Sequence, residues 1–479
     1  MQPTSHRFKE NVRGALADAA LQRALRFFDF GQAGLAERRR QAVAKLPEFE
    51  ALREQAKAIK DHTLANLDWY LERFEKNCTA AGGHVHWCRD AEEARQTVLD
   101  ICRRVGARTV TKGKSMIGEE IAINDFLAAN GIEPIETDLG EYIVQIRHEA
   151  PSHIIAPAIH LTKDQVAASF RDTHKQFDPA RPLEEPRALL DEARGVLRQK
   201  FLEADVGITG ANFLIAETGS SIIVTNEGNG DLTQLLPKAH IVLASLEKVV
   251  PTLEDAATIL RVLARSATGQ EMSVYTTFST GPRRPGDLDG PGEYHVILLD
   301  NGRSQLLGTE FQEILRCIRC GACMNNCPVY ASIGGHAYGW VYPGPMGAVL
   351  TPSLIGIENA RHLPNASTFC GRCESVCPMK IPLPKLMRHY REQEYERRLA
   401  PATVRMGLAA WAFLARRPAL YHSMARLAAG VLGRLGRRHG SFFNLPLATG
   451  WTATREMPAP QGKTFQAQWR ARQRSKGRR

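Results

Sequence analysis

The sequence predicts an α/β domain with a largely parallel sheet, followed by a helical cysteine-rich domain and a basic helical C-terminal region. Three observations lead to this prediction. Between about residues 60 and 300, helix-type and strand-type hydrophobic patterns alternate, as they do in α/β proteins. Seven of the ten cysteines lie between residues 317 and 377. From about residue 390 the chain is rich in Arg, Ala and Leu at helical spacing.

Taken in order, the elements suggest four regions. Residues 1–60 form a helical N-terminal region, because Ala, Leu, Arg and Glu dominate and no alternating pattern occurs. The α/β domain spans 61–303, the cysteine-rich domain 304–395 and the basic helical region 396–479. The strand candidates of the α/β domain are HVHWC, RTVTKG, IEPIETD, HIIAPAIH, NFLIAET, SIIVTNE, HIVLAS, SVYTTFS and YHVILLD. Residues 172–190 are polar, contain three prolines and predict a loop that leads into another helix.

The C-terminal region is predicted to be helical and strongly basic. The stretch WAFLARRPALYHSMARLAAGVLGRLGRR is amphipathic, and we prefer packing on the cysteine-rich domain or a partner subunit to binding at a membrane surface. The tail from Arg470 to Arg479 carries six basic side chains and no acid, so we expect it to be solvated and disordered. Contact with anionic lipid or an acidic partner is the alternative, and no nucleic-acid motif accompanies the charge.

Length and composition predict a cytoplasmic protein of two or three domains. The chain has 479 residues, 43% of them hydrophobic and 24% charged, with a formal net charge of +11. The start is polar and lacks the apolar core of a signal peptide. The longest apolar stretch, residues 406–415, is shorter than the ~20 residues that a membrane span needs. We therefore expect at most peripheral contact with a membrane.

The clustered cysteines form two motifs. CIRCGACMNNCPVY places four cysteines before Pro328 at the spacing C-x2-C-x2-C-x3-C-P, which is typical of iron–sulfur proteins. CGRCESVCP repeats the last three cysteines and the proline, but Ser367 stands at the position of the first cysteine. In a reducing cytosol such a group indicates metal binding rather than disulfides. The remaining cysteines, Cys78, Cys88 and Cys102, are isolated and predicted to be ordinary core or surface residues.

The spacing also predicts which cysteines act together. In two-cluster ferredoxins the fourth cysteine of each motif ligates the other cluster. Cluster 1 is therefore assigned to Cys317, Cys320, Cys323 and Cys377. Cluster 2 is assigned to Cys327, Cys370 and Cys373. Structural zinc is the main alternative, since zinc also favours thiolates, but zinc does not require the Cys-Pro endings or the crossed arrangement.

The missing ligand belongs to cluster 2, and three outcomes stay open there. The cluster is [3Fe-4S], which needs only three thiolates, or it is [4Fe-4S] with an oxygen or nitrogen ligand, or one iron is open to water or a small molecule. The candidate ligands are Ser367, His336 and His362. The 42 residues between the motifs include GGHAYGWVYPGPMGAVLTP, which predicts neither a regular helix nor a strand. We expect a loop that shields the clusters, or a docking surface for a redox partner.

Other motifs in the α/β domain are weaker. TKGKS resembles the end of a phosphate-binding loop, but position 108 holds Arg where that motif needs glycine. Lys112, Lys114 and Ser115 nevertheless follow a strand and precede a helix, where an anion can bind, although a solvated turn is the preferred interpretation. In GITGANFLIAETGSSIIVTNEGNGD the glycines predict a cleft for a small anionic ligand at strand ends. Glu217 and Glu227 are candidate acids or bases there, and no catalytic triad is found.

Together these segments resemble the lactate utilization protein B family, iron–sulfur proteins with an LUD domain. The resemblance rests on VTKGKSMIGEEI, the glycine-rich segment, both cysteine motifs and the segment between them, and covers roughly residues 60–400. It implies an LUD domain similar to sugar-phosphate isomerases and CoA-transferases, followed by a ferredoxin-type domain with two [4Fe-4S] clusters whose ligands map onto the seven cysteines. Three cysteines in the second motif are normal for the family.

The resemblance implies a subunit of a three-protein system that oxidises L-lactate to pyruvate, allowing growth on lactate, rather than a stand-alone enzyme. Its partners would be the other lactate-utilization subunits and an electron acceptor or quinone-linked chain. Two alternatives remain. The LUD domain is itself catalytic on a small organic acid, with Lys112, Lys114, Glu217 and Asn226 as first candidates. Or the chain is a redox adaptor that feeds quinone from a different dehydrogenase, with the basic helices at the membrane.

Overall fold

The computed structural model describes residues 3–27, 34–445, 452 and 455–476. The chain divides into two compact units, Met1–Gln393 and Glu394–Arg479. The first unit contains the α/β domain and both cysteine motifs, and the second contains the basic helical region. Among the described residues, no helix combines the length and the apolar character needed to cross a membrane.

Helices open the chain. They are α1 (Phe8–Ala17), α2 (Ala19–Phe27), α3 (Leu35–Ala44), α4 (Phe49–Ala65) and α5 (Leu67–Ala80), preceded by a 3-10 turn at Ser5–Arg7. Helix α4 forms because its apolar positions Leu52, Ala56 and Leu64 recur on one face, where they are buried. The prediction of helical structure in this region is confirmed for the residues that the structure describes.

These first helices pack against the cysteine-rich region, far along the chain. The Thr4 amide donates to the Gly339 carbonyl at 2.7 Å, and the Gln22 side chain donates to the Ser332 carbonyl at 2.9 Å. Two arginines reach the second cysteine motif. Arg39 Nη2 donates to the Val376 carbonyl at 2.9 Å, and Arg53 Nη2 donates to the Cys377 carbonyl at 2.7 Å. The N-terminal helices therefore cover part of the cysteine-rich region.

A six-stranded, wholly parallel sheet forms the centre of the α/β domain. Its strands are β1 (His84–Cys88), β2 (Thr109–Gly113), β3 (Glu133–Glu136), β4 (Val206–Gly210), β7 (Ala239–Ser245) and β10 (Glu293–Leu299). They lie in the order β1-β10-β7-β4-β2-β3. Every residue of β7 is buried, because a parallel sheet is covered by helices on both faces. The prediction of an α/β domain with a largely parallel sheet is confirmed.

Helices cover this sheet and a smaller sheet extends it. The helices are α6 (Ala91–Arg104), α7 (Met116–Glu120), α8 (Ile123–Ala129), α9 (Leu139–Ile146), α10 (Lys163–Thr173), α11 (Pro186–Glu203), α12 (Asn229–Leu235) and α13 (Leu253–Ala267). The smaller sheet contains β5 (Phe213–Ile215), β6 (Ser220–Thr225), β8 (Val249–Val250) and β9 (Tyr275–Ser279). Its order is β8-β5-β6-β9, with β5 antiparallel to β6 and parallel to β8. Short 3-10 turns lie at Leu246–Lys248 and Ser304–Leu306.

Eight of the nine strand candidates contain a strand, and HIIAPAIH does not. Residues 153–160 form turns, so the prediction of a strand there is wrong. Pro157 lacks the N–H that a ladder needs, and His153 Nδ1 instead accepts local bonds from the Ile155 and Ala156 amides at 3.1 and 3.3 Å. The sequence pattern also missed β4 and the two-residue β8. The three isolated cysteines are buried. The core is therefore the correct one of the two locations, core or surface, that the sequence suggested for them.

The cysteine-rich region is built from short helices. They are α14 (Ala322–Asn325), α15 (Pro328–Ile333), α16 (Gly344–Ile355), α17 (Ile357–Ala360), α18 (His362–Asn365), α19 (Arg372–Ser375) and α20 (Leu383–Glu396), with 3-10 turns at Gln312–Arg316 and His336–Tyr338.

Helix α16 corrects the prediction that the segment between the motifs holds no regular helix. Pro345 lies in its first turn, where no N–H partner is needed, and the residues from Gly344 to Pro352 are all buried. Gly347 is required for close packing, since a Cβ there would stand 1.6 Å from the Tyr342 carbonyl oxygen. This part of the segment is internal, and the exposed residues of the segment, such as Glu358 and Asn359, lie outside α16.

The second unit is helical and exposed. It contains α21 (Ala402–Ala415), α22 (Pro418–Leu435), α23 (Phe465–Lys476) and a two-stranded ribbon of β11 (Ser441–Phe442) and β12 (Met457–Pro458). Neither α21 nor α22 has a buried residue. Helix α23 occupies most of the tail for which the sequence suggested disorder, and residues 477–479 lie outside the described residues.

Candidate metal centre

The two cysteine motifs share one backbone conformation. Gly321 and Gly371 have φ angles of 74° and 79° and begin helices α14 and α19. Two residues earlier, Arg319 and Phe369 also have positive φ, at 59° and 53°. The left-handed conformation is uncommon for side chains of this size, so its occurrence at equivalent positions indicates a repeated local fold. The cysteine-rich region is therefore a structural as well as a sequence repeat.

This repeat fixes the counterpart of each cysteine. When Gly321 is matched to Gly371, Cys320 corresponds to Cys370, and Ser367 corresponds to Cys317. Ser367 thus occupies the place of a first-motif thiol. Its hydroxyl oxygen accepts a hydrogen bond from the Phe369 amide at 3.1 Å.

A first cavity collects thiols from both motifs. It is lined by Cys317, Cys320, Cys323 and Cys377, with apolar walls from Met346, Met379, Ile381 and Leu383. Burial raises the pKa of the Cys323 thiol well above its usual range, and the neighbouring thiols raise it further. Burial likewise raises the pKa of Cys320 to about 12 and that of Cys377 to about 11. The structure therefore groups the four cysteines that the crossed pattern assigns to cluster 1.

A second cavity collects the other three thiols. It is lined by Cys327, Cys370 and Cys373, together with Ser367 and Thr368. His336 and His362 do not line it, and the His336 ring bonds instead to the Ala150 carbonyl at 2.6 Å. The grouping agrees with the set assigned to cluster 2. Of the three oxygen or nitrogen ligands considered, only Ser367 lies at this cavity.

The two cavities are neighbours that differ in access. Helix α16 contributes to both, through Met346 at the first and Ala348 at the second. The Cys373 thiol also acts electrostatically on Cys323, across the boundary between the sets. Cys370 is exposed, unlike the other six.

The residues that line the two cavities fit iron–sulfur clusters, since seven thiols and no His, Asp or Glu are among them. Among the described residues, no three His, Cys, Asp or Glu side chains are close enough together to hold one metal ion. Backbone amides also face the sulfurs, as in the Ile381 amide that donates to Cys377 Sγ at 3.5 Å. Such bonds stabilise thiolates and tune cluster potentials.

Positively charged side chains surround the first cavity. Arg39 acts electrostatically on Cys320 and Cys377 from the N-terminal side. Lys248 acts on Cys317 from the α/β domain, and Arg319 acts on it from within the first cysteine motif. A cluster with four thiolate ligands is anionic, so these cations suit the first cavity electrostatically.

A buried ion-pair network joins the α/β domain to the first cavity. Arg303 donates from Nη2 to Glu120 Oε2 at 2.6 Å, and the Tyr342 hydroxyl donates to the same oxygen at 2.5 Å. Arg319 Nη2 lies 3.1 Å from Glu247 Oε1, and its guanidinium stacks 5.2 Å from the Tyr342 ring centre. Burial alone would raise the pKa of Glu247, but Arg303 and Arg319 lower it to about 2. The network fixes Arg319 at the wall of the first cavity.

A third cavity, the switch-point cavity, lies at the carboxyl ends of β2, β4 and β7. The chain goes from β2 to β3 on one side and returns to β4 on the other, so β2 and β4 flank the point at which strand order reverses. Ligands of open α/β sheets bind in the crevice at this point. The cavity has a volume of about 160 Å³ and is partly open to solvent, and Cys320 and Arg319 form part of its wall.

Only some of the candidate catalytic residues line the switch-point cavity. Lys114, Ser115 and Asn226 line it, whereas Lys112 and Glu217 do not. Lys114 is paired with Asp138 at 2.8 Å. The Asn226 amide exchanges bonds with Gln270 at 3.0 Å.

Two candidates have structural partners instead. Lys112 is only 1% exposed and lies 2.6 Å from Glu119 and 2.7 Å from Glu136. This corrects the interpretation of that position as a solvated turn. Glu217 accepts from the Leu253 amide at 3.2 Å, at the start of α13. Neither side chain is placed to act on a ligand of the switch-point cavity.

Among the polar residues of the switch-point cavity that sequence reasoning missed are Asn212, Lys248 and Arg319. Lys248 and Arg319 lie in SLEKVV and CIRCG, where no motif marks a ligand-binding cation. Asn212 lies in the glycine-rich segment, for which the sequence did predict a cleft.

Comparison with known families covers nearly the whole chain. The LUD domain matches residues 71–299, the 4Fe-4S dicluster domain matches residues 313–381, and the C-terminal domain of lactate utilisation protein B matches residues 372–474. A crystal structure of a DUF162 family protein from Deinococcus radiodurans covers 49% of this chain and 98% of its own. Its TM-score is 0.26 at 16% identity, so it carries no weight for the fold.

Whole-length relatives agree with the domain matches. Lactate utilization protein B of Bacillus licheniformis is 42% identical over 485 residues, which covers 100% of this chain and 99% of that protein. The protein of the same name from Bacillus velezensis is 43% identical over 98% of each chain, and that of Bacillus subtilis is 41% identical over 96% of this chain and 95% of its own. With the LUD fold, the dicluster region and the basic C-terminal region all accounted for, this chain belongs to the lactate utilization protein B family.

Proposed function

We propose that this chain is the iron–sulfur electron-transfer subunit of a multi-protein system that oxidises L-lactate to pyruvate. Membership of the family and the 4Fe-4S dicluster domain support a role in lactate utilization that involves iron and sulfide. The observation that carries the proposal is the pair of adjacent cavities, each of which unites thiols from both cysteine motifs. Two one-electron carriers held so close together suit a relay rather than a purely structural role.

The proposal assigns two [4Fe-4S] clusters to the two cavities. The ligands would be Cys317, Cys320, Cys323 and Cys377 for cluster 1, and Cys327, Cys370 and Cys373 for cluster 2. Ser367 is the candidate fourth ligand of cluster 2, and a [3Fe-4S] cluster is the alternative if it does not bind iron.

The protein's own residues determine access to these centres. Helix α16, the N-terminal helices and the LUD domain enclose the first cavity, and the buried Glu120–Arg303–Tyr342 contacts hold its wall in place. At the second cavity Cys370 is exposed, so a redox partner approaches most closely there. The proposed partners are the other lactate-utilization subunits and either a separate electron acceptor or a quinone-linked chain.

The test is reconstitution under anaerobic conditions. The full-length chain is purified, its iron and sulfide are measured, and EPR spectra are recorded with L-lactate before and after addition of the other lactate-utilization subunits. We expect two cluster signals and lactate-dependent reduction that requires those subunits. Zinc without sulfide would refute the iron–sulfur assignment, and clusters that stay oxidised in the complete system would refute the role in lactate oxidation.

The switch-point cavity favours one second candidate, that the LUD domain itself acts on a small organic acid. It places Lys114 and Asn226 beside an enclosed space at the strand ends. Reduction of the clusters by L-lactate in this chain alone would support that candidate and contradict a pure relay.

A further inference from the structure

We propose that the switch-point cavity is a binding site for a small 2-hydroxy or 2-oxo carboxylate, with Lys248 and Arg319 holding the carboxylate group. The proposal rests on the proposed function for the class of acid, and on the cavity itself for the binding of an anion.

The charges of the lining residues select an anion. Three cations, Lys114, Lys248 and Arg319, line the cavity, and no Asp or Glu does. Lys114 is already neutralised by Asp138 at 2.8 Å and Glu227 at 3.5 Å. Among the described side chains, Lys248 is therefore the unpaired cation of the cavity, and Arg319, although paired with Glu247, keeps one unbonded nitrogen, Nη1.

Lys248 is the lining cation that lacks a hydrogen-bond partner in the described part of the protein. Its side chain is buried, with 7% of the residue exposed, and Nζ makes no hydrogen bond or salt bridge to any residue that the structure describes. A buried ammonium without a hydrogen-bond partner is costly, and an anion in the cavity would remove that cost. Its neighbour Lys60, by contrast, donates to the carbonyls of Glu247 and Val249.

Arg319 offers a second donor. Its Nη2 contacts Glu247 at 3.1 Å, but its buried Nη1 has no hydrogen-bond partner among the described residues. The guanidinium is held over the Tyr342 ring, so it is fixed before any ligand arrives. Preorganised cationic donors of this kind suit a carboxylate.

The remaining walls suit the rest of a small acid. Asn212 Oδ1 accepts from the Val224 amide at 2.9 Å, which leaves its Nδ2 to donate to an oxygen on the second carbon of the acid. Ile154, Ile155 and Leu263 provide apolar contacts for the carbon skeleton. The position at the carboxyl ends of β2 and β4 is where α/β sheets generally place ligands.

Calorimetric titration of the cluster-loaded, full-length chain under anaerobic conditions tests the site. Pyruvate and L-lactate are the ligands, with propionate, which lacks the second oxygen, and inorganic sulfate for comparison. We expect saturable binding of the two acids and weaker binding of propionate and sulfate. Absence of saturable binding of either acid would overturn the proposal, and so would sulfate binding at least as tightly as pyruvate.

Two variants of the lining residues, with one matched control, test whether the acid binds in this cavity. Lys248→Met should raise the dissociation constant for pyruvate by at least about tenfold, because a charged hydrogen bond to the anion is lost. Asn212→Asp keeps the acceptor for Val224 while replacing the donor by a negative charge, and should weaken binding similarly. Lys238→Met is the matched control, since Lys238 is 65% exposed and pairs with Asp205 on the surface. Wild-type affinity in both Lys248→Met and Asn212→Asp would refute the site.

Three outcomes separate this inference from the proposed function. If the clusters are present and reduced by lactate in the complete system but the chain binds no acid, the relay stands and the site is refuted. If Lys248→Met shifts the cluster 1 signal while acid affinity stays at the wild-type value in both Lys248→Met and Asn212→Asp, Lys248 serves the cluster and the site is again refuted. If lactate fails to reduce the clusters but acid binding depends on Lys248, the site stands and the relay is refuted.

Discussion

The two cysteine-lined cavities have the same backbone and different surroundings. The first contains four thiols and is enclosed by the N-terminal helices, the LUD domain and cations such as Arg39 and Arg319. The second contains three thiols and Ser367, and one of its thiols, on Cys370, is exposed. The comparison teaches that a repeated local fold gains distinct properties from what packs on it. The sheltered cavity adjoins the switch-point cavity of the α/β domain, and the other is accessible from solvent.

The largest expected effect comes from breaking the crossed arrangement. Cys377→Ala should remove about half of the bound iron, and the signal that disappears should be the one lost in Cys317→Ala, although the two residues lie in different motifs. Cys373→Ala should remove the other signal. Iron analysis and EPR of the purified variants measure this.

Cys102→Ala is the control, because Cys102 is buried in the LUD domain and should leave both clusters intact. If Cys377→Ala and Cys373→Ala removed the same signal, each motif would hold its own cluster and the crossed assignment would be wrong.

The next effect concerns the network that supports only the first cavity. Glu120→Gln leaves Arg303 buried with one charged partner fewer, and should lower the free energy of unfolding by about 3–5 kcal/mol. Because Tyr342 and Arg319 lose their support, cluster 1 should be released before cluster 2 on addition of denaturant. Denaturation followed by circular dichroism and cluster absorbance measures both effects.

Glu133→Gln is the matched control, since Glu133 pairs with Lys200 at an exposed site and should change stability little. Equal loss of both clusters in Glu120→Gln would show that the network does not distinguish the cavities.

A smaller effect is expected at the N-terminal side of the first cavity. Arg53→Met removes donors to the Cys377 and Ser375 carbonyls, and should cost about 1.5–3 kcal/mol of the free energy of unfolding. It should also speed the release of cluster 1 iron to a chelator. Arg40→Met, at an exposed position of α3, should behave like the wild type. Chelator-release rates equal to the wild type would mean that Arg53 does not shape this cavity.

The smallest expected effect is at Ser367. Ser367→Cys gives the second cavity a fourth thiol and should slow the release of cluster 2 to a chelator several-fold, while Ser367→Ala should speed it. EPR of each variant shows whether the cluster 2 signal changes. If neither substitution alters the signal or the rate, Ser367 is a bystander and the iron next to it has another ligand or is open.

Much of the fold follows from local patterns, and the exceptions have physical causes. Strand β7 was predictable because HIVLAS is a continuous apolar run, typical of a strand covered on both faces. Strand β4, VGITG, was missed because two of its five residues are glycines and its pairing with β2 and β7 comes from the assembled sheet. Helix α16 was missed because prolines and glycines normally end helices, whereas burial on all sides stabilises this one.

The functional site likewise contains residues that the sequence predicts and residues that it does not. The spacing of the seven cysteines predicts two sets, and the structure brings each set to one cavity, although the ligation itself stays a prediction. Lys248 and Arg319 could not be found from the sequence, because they are about 70 residues apart and meet only when the cysteine-rich region packs on the LUD domain. Resemblance to the family, in contrast, was visible in short segments and is confirmed over the whole chain.

The contacts of the first helices have a consequence for synthesis. Thr4, Gln22 and Arg53 find their partners more than 300 residues later in the chain. At about 5–20 residues per second, roughly 15–65 s pass between the emergence of these helices and that of their partners. During that interval α2 lacks α15, the helix on which it packs, whereas α4 packs chiefly on α13, which is made earlier. A nascent chain that stops before the second cysteine motif also lacks the carbonyls to which Arg39 and Arg53 donate. Translation must therefore reach Cys377 before the N-terminal helices make all of their contacts, and a chain cut short of that point leaves part of their surface without its partner.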